Sequence, residues 1–191
     1  MDVDGLTFAC ATSAEERVAR RLGLHALLVG VGVSNGLPSE PVVSFGLAGS
    51  LGVLSVGDVL DATRVVDASG ATLWEGPGLG VRGARAATVL GCDVLVYDAG
   101  ERRRLHEASG ADAVDMESGV LARAGRLAGV VRAISDDAGS SVEGVDRTVR
   151  PDGRTDTVGL LRWIATRRVV AIRSMRDALR ALRALEQAVA A

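Results

Sequence analysis

The sequence predicts an α/β fold, a single domain in which a sheet is covered by helices. Three observations lead there. The 191 residues are 48% hydrophobic, enough to bury one full core. Aromatics make up only 3%, so that core is built from Val, Leu and Ala. The apolar residues fall in short continuous Val/Leu runs, the pattern of strands buried on both faces and therefore covered by helices.

Taken in order, residues 6–11 are a short apolar strand. Ser13 and Glu16 then stand at capping-box spacing, Ser13 as N-cap and Glu16 at the third helical position, which leaves Glu15 free to face a pocket. That helix runs to about Leu22 and ends at Gly23. Residues 26–29 form a second strand. The Gly30-Val31-Gly32 run after it has the wrong spacing for a dinucleotide fingerprint, and Pro38 and Pro41 keep a helix from starting cleanly. Residues 41–45 are a third strand, opening into a glycine-rich turn from Gly46 to Gly52 that either admits a ligand close to the backbone or only turns tightly. Val56-Gly57-Asp58 turns into a strand continuing through residue 66. Shorter strands follow at 71–73, 87–90 and 93–97, with a Gly-rich loop over 74–83 and a charged helix over 101–109. Residues 113–114 end another strand, 119–129 make a helix with Leu121, Ala124 and Ala128 on one face, and 130–134 make a strand.

The polar turn Arg150-Pro151-Asp152-Gly153-Arg154 is the one plausible boundary. It divides an α/β core, residues 1–149, from an Arg-rich helical extension, residues 150–191, packed on the same domain. Helices are expected over 157–166 and 170–190. In the second, Met175, Leu179, Leu182, Leu185 and Val189 share one face, and Arg173, Arg176, Arg180 and Arg183 another.

Several function classes are excluded. All 22 basic residues are arginine, so no Walker-type or Schiff-base lysine exists. His25 and His106 have no neighbouring ligand pattern, which argues against a His-based metal site and a Ser-His-Asp triad; no cofactor or metal is expected. Cys10 and Cys92 lack CxxC spacing and read as free thiols. No apolar run is long enough to span a bilayer and the N-terminus lacks a signal pattern, so a cytoplasmic protein is expected. Residues 1–149 carry a net −7 and residues 150–191 a net +5; the tail is locally basic, but the whole is no nucleic-acid binder by charge.

Acidic groups sit where two apolar runs stop: Asp115 and Glu117 after residues 113–114, and Asp136 and Asp137 after residues 130–134. If the chain stays extended from Asp115 to Glu117, both side chains point the same way. In open α/β sheets, ligands bind at the carboxyl ends of strands. Taken singly, Glu117 also suits a helix N-terminus and Asp136 a turn cap.

Four ordered stretches carry a resemblance: Phe45-Gly46-Leu47-Ala48-Gly49-Ser50-Leu51, Val56-Gly57-Asp58-Val59, Val114-Asp115-Met116-Glu117-Ser118, and Arg132-Ala133-Ile134-Ser135-Asp136. Over residues 6–139 the chain resembles the nucleoside phosphorylases and methylthioadenosine/adenosylhomocysteine nucleosidases. The resemblance implies a central mixed sheet, partly closed into a barrel and flanked by helices. It implies cleavage of the N-glycosidic bond of a purine nucleoside, such as a 5′-modified adenosine, with water or phosphate as acceptor. By that resemblance Asp136, beside Ser135, protonates N7 of the leaving purine. Met116 and Glu117 hold the ribose, and Glu15 activates the water. Gly46, Ala48 and Gly49 line the ribose and nucleophile side, and Val96, or its neighbour Tyr97, lies near the base.

The chemistry suits these residues. Loss of the base leaves an oxocarbenium-like sugar, with a protonated carboxyl needed on one side and an ionised one on the other. Leu47 stands in the family's phosphate-serine slot and Ser44 in its arginine slot, so water is favoured over phosphate. The segment between Gly32 and Pro41 is too short for a helix usual in the family. The tail is similar, more loosely, to the hopanoid-associated phosphorylase branch. That likeness implies a very apolar 5′ substituent, as in adenosylhopane, and transient membrane-surface contact through the Arg-rich helix. A homo-oligomer is expected. The alternative is a catalytically inactive nucleoside-binding or scaffold protein of the same fold.

Overall fold

The computed structural model describes residues 5–139 and 148–190. β1 (Thr7–Cys10) leads into α1 (Ser13–Arg21), and β2 (His25–Leu28) returns parallel to β1. A 3-10 turn, Val31–Val33, precedes β3 (Val42–Ser50), β4 (Val59–Val66), β5 (Thr72–Glu75) and β6 (Arg85–Gly91). Then come α2 (Ala99–Ser109), β7 (Ala113–Asp115), α3 (Ser118–Arg123), β8 (Leu127–Asp136), α4 (Thr157–Thr166) and α5 (Arg168–Ala190).

Five strands close on themselves. β3 pairs with β8, β8 with β4, β4 with β6, β6 with β7, and β7 with β3. β1 and β2 extend this ring from β3, and β5 extends it from β4. The sheet is mixed, since β3–β8 is parallel and β3–β7 antiparallel; the expected partly closed sheet with flanking helices is what forms. Closure works because β3 and β4 are long enough to serve three neighbours each. The core lies under α1 and α5, where Phe8 and Phe45 meet edge to face at 5.7 Å among Val18, Val43, Val131 and Leu185. Burying each such side chain contributes about 1.5–3 kcal/mol.

Five local expectations are corrected. The glycine run is no turn through its first half: Gly46 to Ser50 continue β3, held by β8 and β7 on either side. Residues 93–97 form no strand; the Val96 carbonyl is taken by the Arg102 guanidinium instead of a ladder partner. The helix expected over 119–129 stops at Arg123. The chain turns through Gly125 at φ +65°, and from Leu127 it is drawn into a ten-residue strand paired on both sides. The N-cap of α1 is Thr12, with Glu15 completing the capping box. Ser13 instead gives its N–H and hydroxyl to Gly153 O. On α5, Ala171, Ala181 and Leu185 are buried, while Met175 and Leu179 are 39% and 55% exposed, because Leu182, Ala184, Ala188 and Val189 make the contact with the core.

The turn at 150–154 is stitched to the start of the chain. Pro151 O accepts from Val31 N at 2.9 Å, and Asn35 Nδ2 donates to Asp152 O at 3.2 Å. Among the described residues, no helix is long and apolar enough to cross a membrane.

Candidate active site

The carboxyl ends of β7 and β8 and the middle of β3 meet around two fully buried arginines, Arg132 and Arg102.

Arg132, on β8, lies opposite Gly46 of β3. Its Nη2 is 2.7 Å from Asp115 Oδ2, 3.1 Å from Glu117 Oε2 and 2.6 Å from Ser44 Oγ, and its Nη1 donates to Leu47 O at 3.3 Å. Asp115 and Glu117 thus meet at one guanidinium, but not by strand alternation: β7 ends at Asp115, and Glu117 is in the helical region at φ −104°, ψ −41°. Asp115 also accepts the N–H and hydroxyl of Ser118, which ties the strand end to α3. Glu117 Oε1 accepts from Gly32 N at 3.0 Å, so the short segment after β2 folds back onto the acidic cluster.

Glu15 has two jobs. Oε2 accepts from Thr12 N at 2.7 Å and Thr12 Oγ1 at 2.9 Å, and Oε1 reaches across to Leu47 N at 2.8 Å. Capping α1 therefore aims the carboxylate at β3 rather than keeping it from the site. Two carboxylates, Asp115 and Glu117, pair with the Arg132 guanidinium, and Glu15 adds a third negative charge close by, a net −2 when all are ionised. Burial pushes the Glu117 carboxyl up to about 7; Arg132 opposes this, and Asp115 and Glu15 add to it. Burial alone would lower Arg132, but Asp115, Glu117 and Glu15 hold it above its ordinary value, so it stays charged. The Cys10 thiol is pushed far up by burial and by Glu15, which makes it inert.

The second arginine organises the end of β8. Arg102 Nη2 lies 2.5 Å from Asp136 Oδ2, an ion contact without hydrogen-bond geometry. Asp136 Oδ1 accepts from Ser135 Oγ at 2.7 Å, and the Asp136 side chain is 15% exposed. Ser135 is an extra residue in the β3–β8 ladder, where Ala48 faces Ile134 but Gly49 faces Asp136. Such a bulge re-aims the next side chain, here the carboxylate.

The glycines of β3 now have a physical reason. A Cβ on Gly46 would collide with the Glu15 carboxylate and lie 2.9 Å from Arg132 Nη1; one on Gly49 would lie 2.9 Å from Asp136 Oδ2. Both carboxylates pack directly on bare backbone. The two stations are three residues apart along β3, about 10 Å at ~3.3 Å per residue.

Of the residues predicted for the site, Glu15, Glu117, Gly46, Ala48, Gly49, Ser135 and Asp136 line this one stretch of β3 and its neighbours. Met116, between the two acids of its motif, is half-buried, and Val96 is buried. Val96 borders a shallow pocket with Cys92, Leu95, Tyr97 and Leu105 beside α2. A larger groove lies elsewhere, between α5 and the 55–58 turn, and none of the acidic candidates borders it. Sequence reasoning did not assign Arg132, Asp115, Ser44 or Arg102. The first two sit inside the motifs already singled out. Arg102 is one of three consecutive arginines, and only its helical spacing to Leu105 and Ser109, on the buried side of α2, marks it.

No protein-family model matches the sequence, and no curated protein matches it either. Solved structures do. The 5′-methylthioadenosine/S-adenosylhomocysteine nucleosidase of Helicobacter pylori superposes with a TM-score of 0.63 at 13% identity, over 95% of this chain and 94% of that one. The corresponding nucleosidase of Campylobacter jejuni gives 0.56 at 17% identity, over 95% and 98%. Futalosine hydrolase of Helicobacter pylori gives 0.55 at 15%, over 93% and 96%. The closed five-strand ring with its flanking helices is therefore the fold that these two nucleosidases and futalosine hydrolase share.

Proposed function

We propose that the protein hydrolyses the N-glycosidic bond of a purine nucleoside-like substrate. The observation that carries this reading is the pair of carboxylate stations on β3: the Glu15–Arg132–Glu117 cluster at Gly46 and the Asp136–Ser135 pair at Gly49. In this reading the sugar lies at the first and the purine at the second. Glu117 keeps free lone pairs beyond those used by Gly32 and Arg132, enough for two sugar hydroxyls. Glu15, ionised, takes a proton from water as its oxygen bonds to C1′, and Asp136, which enters the step protonated on Oδ1, gives that proton to the base as the bond from C1′ to the base breaks. Met116 borders the sugar and Val96 the base.

Water is the acceptor in this reading. A phosphate dianion would meet three carboxylates, and the one guanidinium among them is already shared between Asp115, Glu117 and Ser44. The 5′ substituent is expected to be apolar, up to the bulk of adenosylhopane. Exposed Ile172, Met175 and Leu179 bordered by Arg176, Arg180 and Arg183 on α5 suit brief contact with an anionic membrane surface.

The test is incubation with adenosine and 5′-modified adenosines, with and without phosphate, following free adenine and the incorporation of oxygen-18 from labelled water into ribose. Adenine release independent of phosphate, with label at C1′, is expected. Release only with phosphate would reassign the acceptor, and none by the folded protein would favour the binding-protein alternative.

A further inference from the structure

The mechanism above uses Asp136 but leaves unexplained the buried arginine against it. Arg102 spends its whole fork on one corner of the molecule. Nε and Nη2 donate to Val96 O at 3.2 and 2.9 Å, Nη1 donates to Asp137 O at 3.0 Å and Ser50 O at 3.3 Å, and Nη2 abuts Asp136 Oδ2. Three chain segments, the end of β3, the end of β8 and the 92–98 stretch, are thereby fixed to one side chain of α2. The helix is set by Asp98, which caps it through Glu101 N at 2.9 Å, and by Gly110 at its other end. Asp136 Oδ2 is buried against the guanidinium, so Oδ1, beside Ser135 Oγ, is the oxygen left for a ligand.

We infer that Arg102 is the positioning residue of the base subsite: it locks one oxygen of Asp136 and holds the Val96 segment at a set distance from the other. The inference rests on the hydrolase reading. A side chain that only filled space would not need four hydrogen bonds to three carbonyls and an ion contact from one guanidinium fork. A lysine there keeps the buried cation but reaches one partner as a point charge, so Asp136 loses its fixed orientation.

The test compares Arg102→Lys in the wild type and in an Asp136→Asn background, measuring kcat and KM for adenine release and adenine affinity by calorimetry. Misplacing a reacting group by about 1 Å costs about 10²-fold. In the wild type, Arg102→Lys is expected to lower kcat by about that factor with KM little changed. In the Asn background it is expected to cost less than twofold, because the group it positions is already disabled. Arg102→Gln, which keeps donors without charge, is read the same way if the lysine variant does not fold. Equal losses in both backgrounds would make Arg102 structural and overturn the inference while leaving the hydrolase reading intact. Neither adenine release nor adenine binding by the wild type would overturn both.

Discussion

Replacing Glu117 with glutamine should make the protein more stable and less active, and the gain should depend on pH. The carboxyl is buried and pushed from an ordinary 4.5 up to about 7. At ~1.36 kcal/mol per pKa unit, keeping it ionised inside the fold costs on the order of 3 kcal/mol above pH 7. The folded-state value is the higher one, so its favourable contribution is complete below about pH 4.5 and is lost as the pH rises through about 7. Glutamine can still accept from Gly32 N. It cannot also accept from Arg132, and losing that charged hydrogen bond returns about 1.5 kcal/mol. The net gain at pH 8 is then about 1–2 kcal/mol, or roughly 2–8 °C in Tm for a chain of this size, shrinking towards zero or below at pH 5. Thermal unfolding of both proteins at pH 5 and pH 8 measures it, alongside adenine release. A variant less stable than wild type at pH 8, by the same amount as at pH 5, would mean that Glu117 is an ionised structural partner of Arg132, and the reasoning would fail.

The remaining predictions probe other parts of the site. Glu15→Gln should abolish base release, whereas Glu16→Gln should keep it and shift stability by less than about 0.5 kcal/mol, since Glu16 makes only an exposed pair with Arg20; loss of activity in the Glu16 variant alone would contradict the site. Gly46→Ala should displace Glu15 or Arg132 and destabilise the fold by about 1–3 kcal/mol, which denaturant unfolding would show; a neutral result would mean the carboxylate does not rest on that backbone. For α5, sedimentation with anionic vesicles should fall when Arg173, Arg176, Arg180 and Arg183 become glutamine, each basic residue being worth about 1 kcal/mol at such a surface. Equal partitioning of the two proteins would return the helix to a packing role.

The sequence by itself determined the fold class, the positions of β1, β2, β4 and α4 within a few residues, and the acidic motifs, because these depend on local periodicity and on residues adjacent in the chain. It could not choose between two capping boxes one residue apart, Thr12 with Glu15 and Ser13 with Glu16; the Leu47 N–H that Glu15 reaches, and the Gly153 carbonyl that occupies Ser13, lie far away in sequence. Nor could it tell that Gly46 to Ser50 are strand. Glycine runs favour turns locally, and only pairing with β7 and β8 supplies the hydrogen bonds that hold this one extended. Arg102 and Arg132 illustrate the same limit. Nothing in the spacing of an arginine says whether it will be solvated or entombed. Closure of the five-strand ring withdrew Arg132 from water, and the ends of β3 and β8 with the Val96 segment enclosed Arg102 on α2; a buried guanidinium must then find carboxylates and carbonyls from whichever segments the fold brings near.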